Sequence, residues 1–207
     1  MVDDPSEVTI DEPAVIQRYI SNPLLINGHK FDLRIYVLVT SFDPLRIYIY
    51  KEGLARFATM EYVSQKGTKG NMFVHLTNYS INKKNDKYKQ NDNLEHDDIG
   101  FKWSLSAFCK HLEEIDIDMD LFWSRIYDVI IKTFLSAEGL MYTALHKTCT
   151  HKSNCFELFG FDVLIDSEFK PWVIEVNLSP SLATDSLMDM QIKSSLIADT
   201  FNLIGLK

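Results

Sequence analysis

Residues 160–166 read GFDVLID and, after the short link Ser167-Glu168-Phe169, residues 170–182 read KPWVIEVNLSPSL. The apolar runs predict two strands, with a hairpin over the polar link from Asp166 to Lys170. Such strands ordinarily carry Val or Ile throughout, yet these carry Asp162, Glu175 and Asn177. Side chains two apart on a strand share a face, so Glu175 and Asn177 point the same way. The hairpin sets Asp162 opposite or nearly opposite Glu175. Carboxylates are almost never buried without a partner, and a hard divalent cation suits several converging oxygens. The stretch therefore predicts an oxygen-ligand site of the kind that holds magnesium on nucleotide phosphates.

Working outward, the first half of the chain reads as strands. VIQRYI (15–20) is a short strand or strand end, and FDLRIYVLVTS (31–41) is a strong one. The turn Phe42-Asp43-Pro44 leads to LRIYIYK (45–51), and a turn at Gly53 leads to a third short strand, LARFATMEY. Residues 67–71 and 82–100 are polar loops. The second half is helical: a short helix from Ser104 to Glu113, a long one from Leu121 to about Leu145, and a closing one from Met188 to Leu203 that ends at Gly205. In the long helix, Phe122, Ile126, Val129, Ile130, Phe134, Ala137, Leu140 and Met141 recur at helical spacing. Antiparallel strands with helices between them predict an α+β sheet covered on one side, its other face open for a ligand.

Lys30, Asp32 and Arg34 alternate with Phe31, Leu33 and Ile35, so one strand face is apolar and the other shows three charges in a row. Alone this is a solvent face. Beside a magnesium-type constellation it reads as a floor for a polyanion. HLTNYSINKK (75–84) supplies Thr77, Asn78, Tyr79 and Ser80, which suit a polar ligand or a structural turn. His75 reads as a satisfied core histidine. Arg56, among small and apolar residues, needs an anion, either a protein carboxylate or a substrate one; Lys102 before Trp103 is similarly placed.

The 207 residues carry a net charge of −8, 46% hydrophobic and 24% charged residues, which fits a globular protein and argues against a nucleic-acid binder. An acidic substrate must then be met by a local basic patch. The run INKKNDKYK, with Lys83, Lys84, Lys87 and Lys89, is one candidate, but a solvated loop is the simpler reading. No apolar run reaches the roughly 18 residues of a membrane span. Cys109, Cys149 and Cys155 are irregularly spaced, match no zinc pattern, and read as buried structural thiols in a reducing, intracellular setting.

The ordered segments QRYI, GHKFDLRIYVLVTSFDPLRIYIY, EGLARFAT, HLTNYSINKK, CFELFGFDVLID and KPWVIEVNLSPSL resemble the tubulin tyrosine ligase-like family, and within it the polyglutamylases. The resemblance runs from about Val15 to Gly205. It implies an ATP-grasp ligase with a mainly antiparallel sheet and covering helices, occupying residues 15–207 after a lead-in of residues 1–14. ATP would phosphorylate an acceptor carboxylate, and the amine of free L-glutamate would displace the phosphate. By the same resemblance Gln17, Arg18, Tyr19 and Ile20 form an adenine hinge, and Lys30, Phe31, Asp32, Thr77 and Asn78 contact ATP. Asp162, Glu175 and Asn177 hold Mg2+, with Arg34 and Glu175 at the transferring phosphate. Arg56, Tyr79, Ser80, Lys102 and Lys193 receive the amino acid or acyl-phosphate. The partners implied are tubulin or microtubules, through their acidic tails, and neither nucleic acid nor membrane. The protein is expected to be a cytoplasmic, cytoskeletal monomer, at the cilium or basal body.

The family pattern has a further N-terminal portion with more nucleotide-binding lysines and a cationic microtubule-binding segment after the catalytic part. These 207 residues are therefore expected to hold the metal half of the site and to have little ligase activity alone. The competing expectations are a glycine or tyrosine ligase of the same family, or a non-catalytic module that binds nucleotide or tubulin.

Overall fold

Alternation along residues 29–42 organises the molecule. In the computed structural model, which describes residues 15–63, 70–88, 97–149 and 155–205 and a few isolated positions before 15, this segment is one long strand. The lead-in residues 1–14 (for the most part), residues 67–69 and Lys89 fall outside the described residues. The elements are β1 (Leu25–Ile26), β2 (His29–Phe42), β3 (Leu45–Phe57), α1 (Met72–His75), α2 (Tyr79–Asn82), β4 (Lys102–Ser104), α3 (Leu105–Glu114), α4 (Met119–Thr148), β5 (Glu157–Ile165), β6 (Pro171–Leu178) and α5 (Leu187–Ile204). The sheet order is β4-β3-β2-β5-β6, with β1 paired to β2, and every pairing is antiparallel. The expected α+β class with a mainly antiparallel sheet and covering helices is what the chain adopts.

The odd-numbered residues of β2 from Phe31 to Val39 join Ala55, Phe57, Phe159, Phe161, Val163 and Ile165 in one apolar face. Helices α3 and α4 cover it with Phe108, Leu112, Phe122, Ile126, Ile130 and Phe134. These last four lie four apart, within the spacing of a single helix stripe. Beyond Phe134 the expected stripe continues in part: Ala137 is half-buried and Met141 packs against the core, but Leu140 is 81% exposed. Ser104 starts α3 by accepting from the Ala107 N–H at 2.9 Å, and Asp118 starts α4 by accepting from Leu121 at 3.0 Å.

The other face is not fully open, as the sequence led us to expect. Its even-numbered residues change character along β2: Lys30, Asp32 and Arg34 are charged, whereas Tyr36 and Leu38 are apolar. Helix α5 covers the apolar end, packing Met188, Ile192 and Leu196 on Tyr36 and Leu54. The charged end stays uncovered by α5 and becomes the candidate site. Among the described residues no helix is long and apolar enough to cross a membrane.

Two strand expectations are corrected. Residues 15–20 form no regular element; Val15 is 85% exposed, and the segment lies along the sheet edge through one bond, Gln17 Nε2 to the Ile174 carbonyl at 3.3 Å. Gly53 is not a turn but lies within β3, opposite Ile35, next to a register shift between Ile35 and Val37. Glycine is required there by close approach, since a Cβ would run into the Arg34 carbonyl oxygen. Strand β4 and helices α1 and α2 were not anticipated, being too short to show a period. The hairpin between β5 and β6 does form, with the Asp166 carboxylate accepting from the N–H groups of Glu168 and Lys170 at 2.9 and 3.0 Å and from the Trp172 ring at 2.9 Å.

Gly53→Ala should therefore destabilise the protein by about 1–3 kcal/mol. Gly139→Ala, in open space inside α4, should stabilise it by about 0.5–1 kcal/mol. Urea unfolding of the two variants beside the parent checks both signs.

Candidate active site

The register of five strands lines up the charges. Lys102, Arg56 and Asp32 are direct neighbours across β4, β3 and β2, while Arg34, Asp162 and Glu175 are neighbours across β2, β5 and β6. Asn177 pairs with Gly160 on the same two outer strands. The expected pairing of Asp162 with Glu175 is thus direct.

Asp162 does have the partner that its burial demands, but within this structure that partner is arginine. The Arg34 Nε and Nη2 reach its two oxygens at 2.5 and 3.1 Å, and Arg56 Nη2 lies 2.9 Å from Oδ2. Arg56 grips Asp32 in bidentate fashion at 2.8 and 2.6 Å, and Thr77 Oγ1 donates to the same carboxylate at 2.8 Å. Arg56 is therefore met by protein carboxylates, and one nitrogen of its fork, Nη1, makes no bond among the described residues. Burial alone would lower its pKa, but Asp32 first and then Asp162 raise it. Gly160 makes room for Arg34: a Cβ there would lie 3.3 Å from Arg34 Cδ and 2.7 Å from Pro180 Cβ.

The residues expected to hold a cation lie at the outer edge of this face. Glu175 is exposed and makes no hydrogen bond or ion pair among the described residues. Asn177 commits its amide nitrogen to the Gly160 carbonyl at 3.3 Å, which leaves its amide oxygen available. Among the described residues no three acids, histidines or cysteines gather as a metal cluster. Two acids and an amide suit a cation that keeps phosphate oxygens and water as its other ligands.

At the hinge end, the Tyr19 hydroxyl and His75 Nδ1 are 2.8 Å apart, which makes His75 the satisfied core histidine expected. Lys30 donates to the His75 carbonyl at 2.8 Å and lies 4.9 Å from the centre of the Tyr19 ring, its pKa lowered by burial. Arg18 is exposed and Ile20 half-buried. Phe31 is a correction: its side chain is fully buried on the opposite face against Phe57 and Phe108, so it cannot line the site. Asn78 and Ser80 are exposed at the start of α2. Buried Asn82, which the sequence did not single out, holds that segment: its amide accepts from the Thr59 N–H at 2.9 Å and donates to the Leu76 and Asn78 carbonyls at 2.8 and 3.1 Å. Lys83, Lys84 and Lys87 are exposed, as a solvated loop requires.

The two candidate substrate lysines converge on an acid that sequence reasoning missed. Asp189, 1% exposed, accepts from Lys102 at 2.6 Å and lies 3.0 Å from Lys193. Lys193 also donates to the Ala183 carbonyl, and Lys102 lies 4.5 Å from the centre of the Tyr79 ring. The signal was present as Ser186-x-x-Asp189, a helix-start pattern. Ser186 caps α5, and its hydroxyl donates to Asp189 at 2.9 Å. Tyr36 was also missed, and its buried hydroxyl has no hydrogen-bond partner among the described residues.

A match to the family described as the tubulin-tyrosine ligase family spans residues 1–206. Tubulin polyglutamylase TTLL5 of Homo sapiens is 50% identical over 205 residues, which is 99% of this chain and 16% of that protein. Tubulin monoglutamylase TTLL4 of Homo sapiens is 46% identical over 200 residues, 97% of this chain and 17% of that protein. Tubulin polyglutamylase TTLL6 of Homo sapiens is 47% identical over 207 residues, 97% of this chain and 22% of that protein. The chain thus spans a minor part of the length of these relatives.

Burial pushes the Asp162 and Asp189 carboxyls up, but this is outweighed by Arg34 and Arg56 at the first and by Lys102 and Lys193 at the second, so both lie below the usual carboxylate range. Their stabilisation is complete above the unfolded value, about 3.9, and is lost as pH falls through the depressed folded values. Urea midpoints should hold on acidification until about pH 4 and then fall, and Asp162→Asn should flatten that fall. Tyr36→Phe, which removes an unpaired buried hydroxyl, should raise stability by about 1 kcal/mol in the same measurement.

Proposed function

The chain belongs to the tubulin-tyrosine ligase family, and from that premise we propose that it serves ATP-dependent joining of free L-glutamate to side-chain carboxylates of glutamates in tubulin tails. The observation that carries the reading is the row of charges on one sheet face, with Lys30 and Arg34 at one side and Glu175 and Asn177 at the other. Two curated relatives are named polyglutamylases and a third a monoglutamylase, so glutamate is common to all three names.

In this reading the acceptor carboxylate takes the terminal phosphoryl group of ATP, and the glutamate amine attacks the resulting acyl-phosphate, expelling phosphate and forming an amide. Lys30 and Arg34 supply cations to the polyphosphate, while Gln17 to Ile20 run beside the base and Thr77 and Asn78 border the nucleotide. Arg34 has to change partner. An incoming phosphate competes with Asp162 for its guanidinium, and the Oδ1 oxygen so freed would join Glu175 and Asn177 as a donor while Arg56 keeps its hold on Oδ2. Asp162, Glu175 and Asn177 would hold Mg2+, which would supply charge neutralisation at the phosphates. Arg56 keeps Asp32 and Asp162 in place and presents its remaining nitrogen to an anion. Lys102 and Lys193, with Tyr79 and Ser80 beside them, meet the carboxylates of the amino acid. Their shared counter-ion, Asp189, leaves one net positive charge for that purpose. The same reading places the protein on the cytoskeleton, at a cilium or basal body, acting as a monomer.

Tubulin incubated with ATP, Mg2+, each of glutamate, glycine and tyrosine in turn, and a chain that carries these residues within the length of the relatives should gain mass in glutamate steps alone, the 207 residues by themselves giving little increment. Glu175→Gln should lower the rate at least tenfold while leaving the thermal transition in place. Glycine or tyrosine steps would replace glutamate in the proposal. Absence of any increment would leave the non-catalytic reading, and full activity in Glu175→Gln would remove the metal assignment.

A further inference from the structure

The three cysteines were expected to be buried structural thiols, yet Cys155 is exposed and Cys149 only half-buried. Cys149 is the C-cap of α4, and Cys155 lies two residues before β5. Both line a cavity of about 500 Å3 between the end of α4 and the ends of β2, β5 and β6 remote from the charged site. Their sulfurs are 3.2 Å apart. Among the described residues no third acid, histidine or cysteine joins them as a metal cluster, so the pair stands as a dithiol.

We propose that Cys149 and Cys155 form a reversible redox site, closing to an intramolecular disulfide under a small-molecule disulfide oxidant. A disulfide needs sulfurs about 2.05 Å apart, so the two must approach by only about 1 Å. The exposed Cys155, as thiolate, attacks one sulfur of the oxidant, forming a mixed disulfide and releasing one small thiol. Cys149, as thiolate, then attacks the Cys155 sulfur, forming the protein disulfide and releasing the second small thiol. Two protein thiols become one disulfide, the oxidant is reduced to two thiols, and the protons lost by the cysteines are taken up by the released thiolates. Neither sulfur takes part in the proposed ligation. The bond would pin the end of α4 to the start of β5, the strand that carries Asp162. Cys109 is a built-in control, because among the described residues no second sulfur pairs with it; burial pushes its thiol up to about 11, whereas the Cys155 thiol is raised chiefly by its hydrogen bond to Cys149.

The test treats the full chain with oxidised glutathione and alkylates the remaining thiols after unfolding. The expected product is two hydrogens lighter, alkylates at Cys109 alone, and yields a Cys149–Cys155 cross-linked peptide. Its melting temperature should rise by a few degrees and return on reduction. Cys149→Ser should stop at a stable glutathione adduct on Cys155, with no such rise. Three alkylatable thiols after oxidation, a stable adduct on the parent protein, a bond to Cys109, or disulfide-linked dimers would each overturn the proposal. The thiol count on the parent protein decides the matter even if the serine variant fails to fold.

Discussion

Arg56 sits between two carboxylates, and the strand register on either side of it serves that position. It is 9% exposed, and a guanidinium so placed demands anions within bonding distance. Asp32 meets it from the neighbouring strand, and Asp162 from the strand beyond. A slip of one residue between β3 and β2, or between β2 and β5, would turn one of these carboxylates to the opposite face and leave a buried charge alone. The same slip would drive Phe31, Leu33 and Ile35 out of the core beneath α3 and α4. Charge pairing and apolar burial therefore select the same register, although a buried ion pair by itself adds little net stability.

From that register the division of the sheet follows. Two residues beyond Arg34, the same face turns apolar at Tyr36, and α5 settles there rather than on the charges. Asp189, at the first turn of α5, then binds Lys102 from β4 and Lys193 from its own helix. Helix α5 is thus held to the sheet by an apolar contact at Tyr36 and an ionic one at Asp189, and the ionic one sets its start at the edge of the site.

The amphipathic alternation of β2, the helix start near Ser104, the helix end at Gly205 and the Asp166 hairpin were legible because each is a local pattern with a local cause. Asp162, Glu175 and Asn177 were legible as a group because polar residues in apolar strands stand out. Their partners were not. That Asp162 faces Arg34 and Arg56 depends on which strands adjoin, and no spacing along the chain states it. Residues 15–20 misled because an apolar-polar mixture of six residues fits a strand that tertiary contacts do not supply. Gly53 misled because glycine marks close approach as well as turns. Phe31 was drawn into the site by its neighbours Lys30 and Asp32, though alternation already put it on the other side.

A chain with net charge −8 makes a poor general attractant for acidic partners. The candidate face overcomes this by concentrating Lys30, Arg34, Arg56, Lys102 and Lys193 in one place and countering them with Asp32, Asp162 and Asp189. Without those acids, five cations on one face would repel one another. With them, the cations are held apart at bonding distances and leave a small positive surplus for an incoming anion. The proposed ligation then needs exchange of partners more than motion of the backbone. In the proposed reaction a phosphate takes Arg34 from Asp162, and the carboxylate oxygen so released would serve beside Glu175 and Asn177 while Arg56 holds the other. The buried acid on β5 thus has two successive partners, arginine in the structure and metal in the proposed reaction, and its strand position serves both.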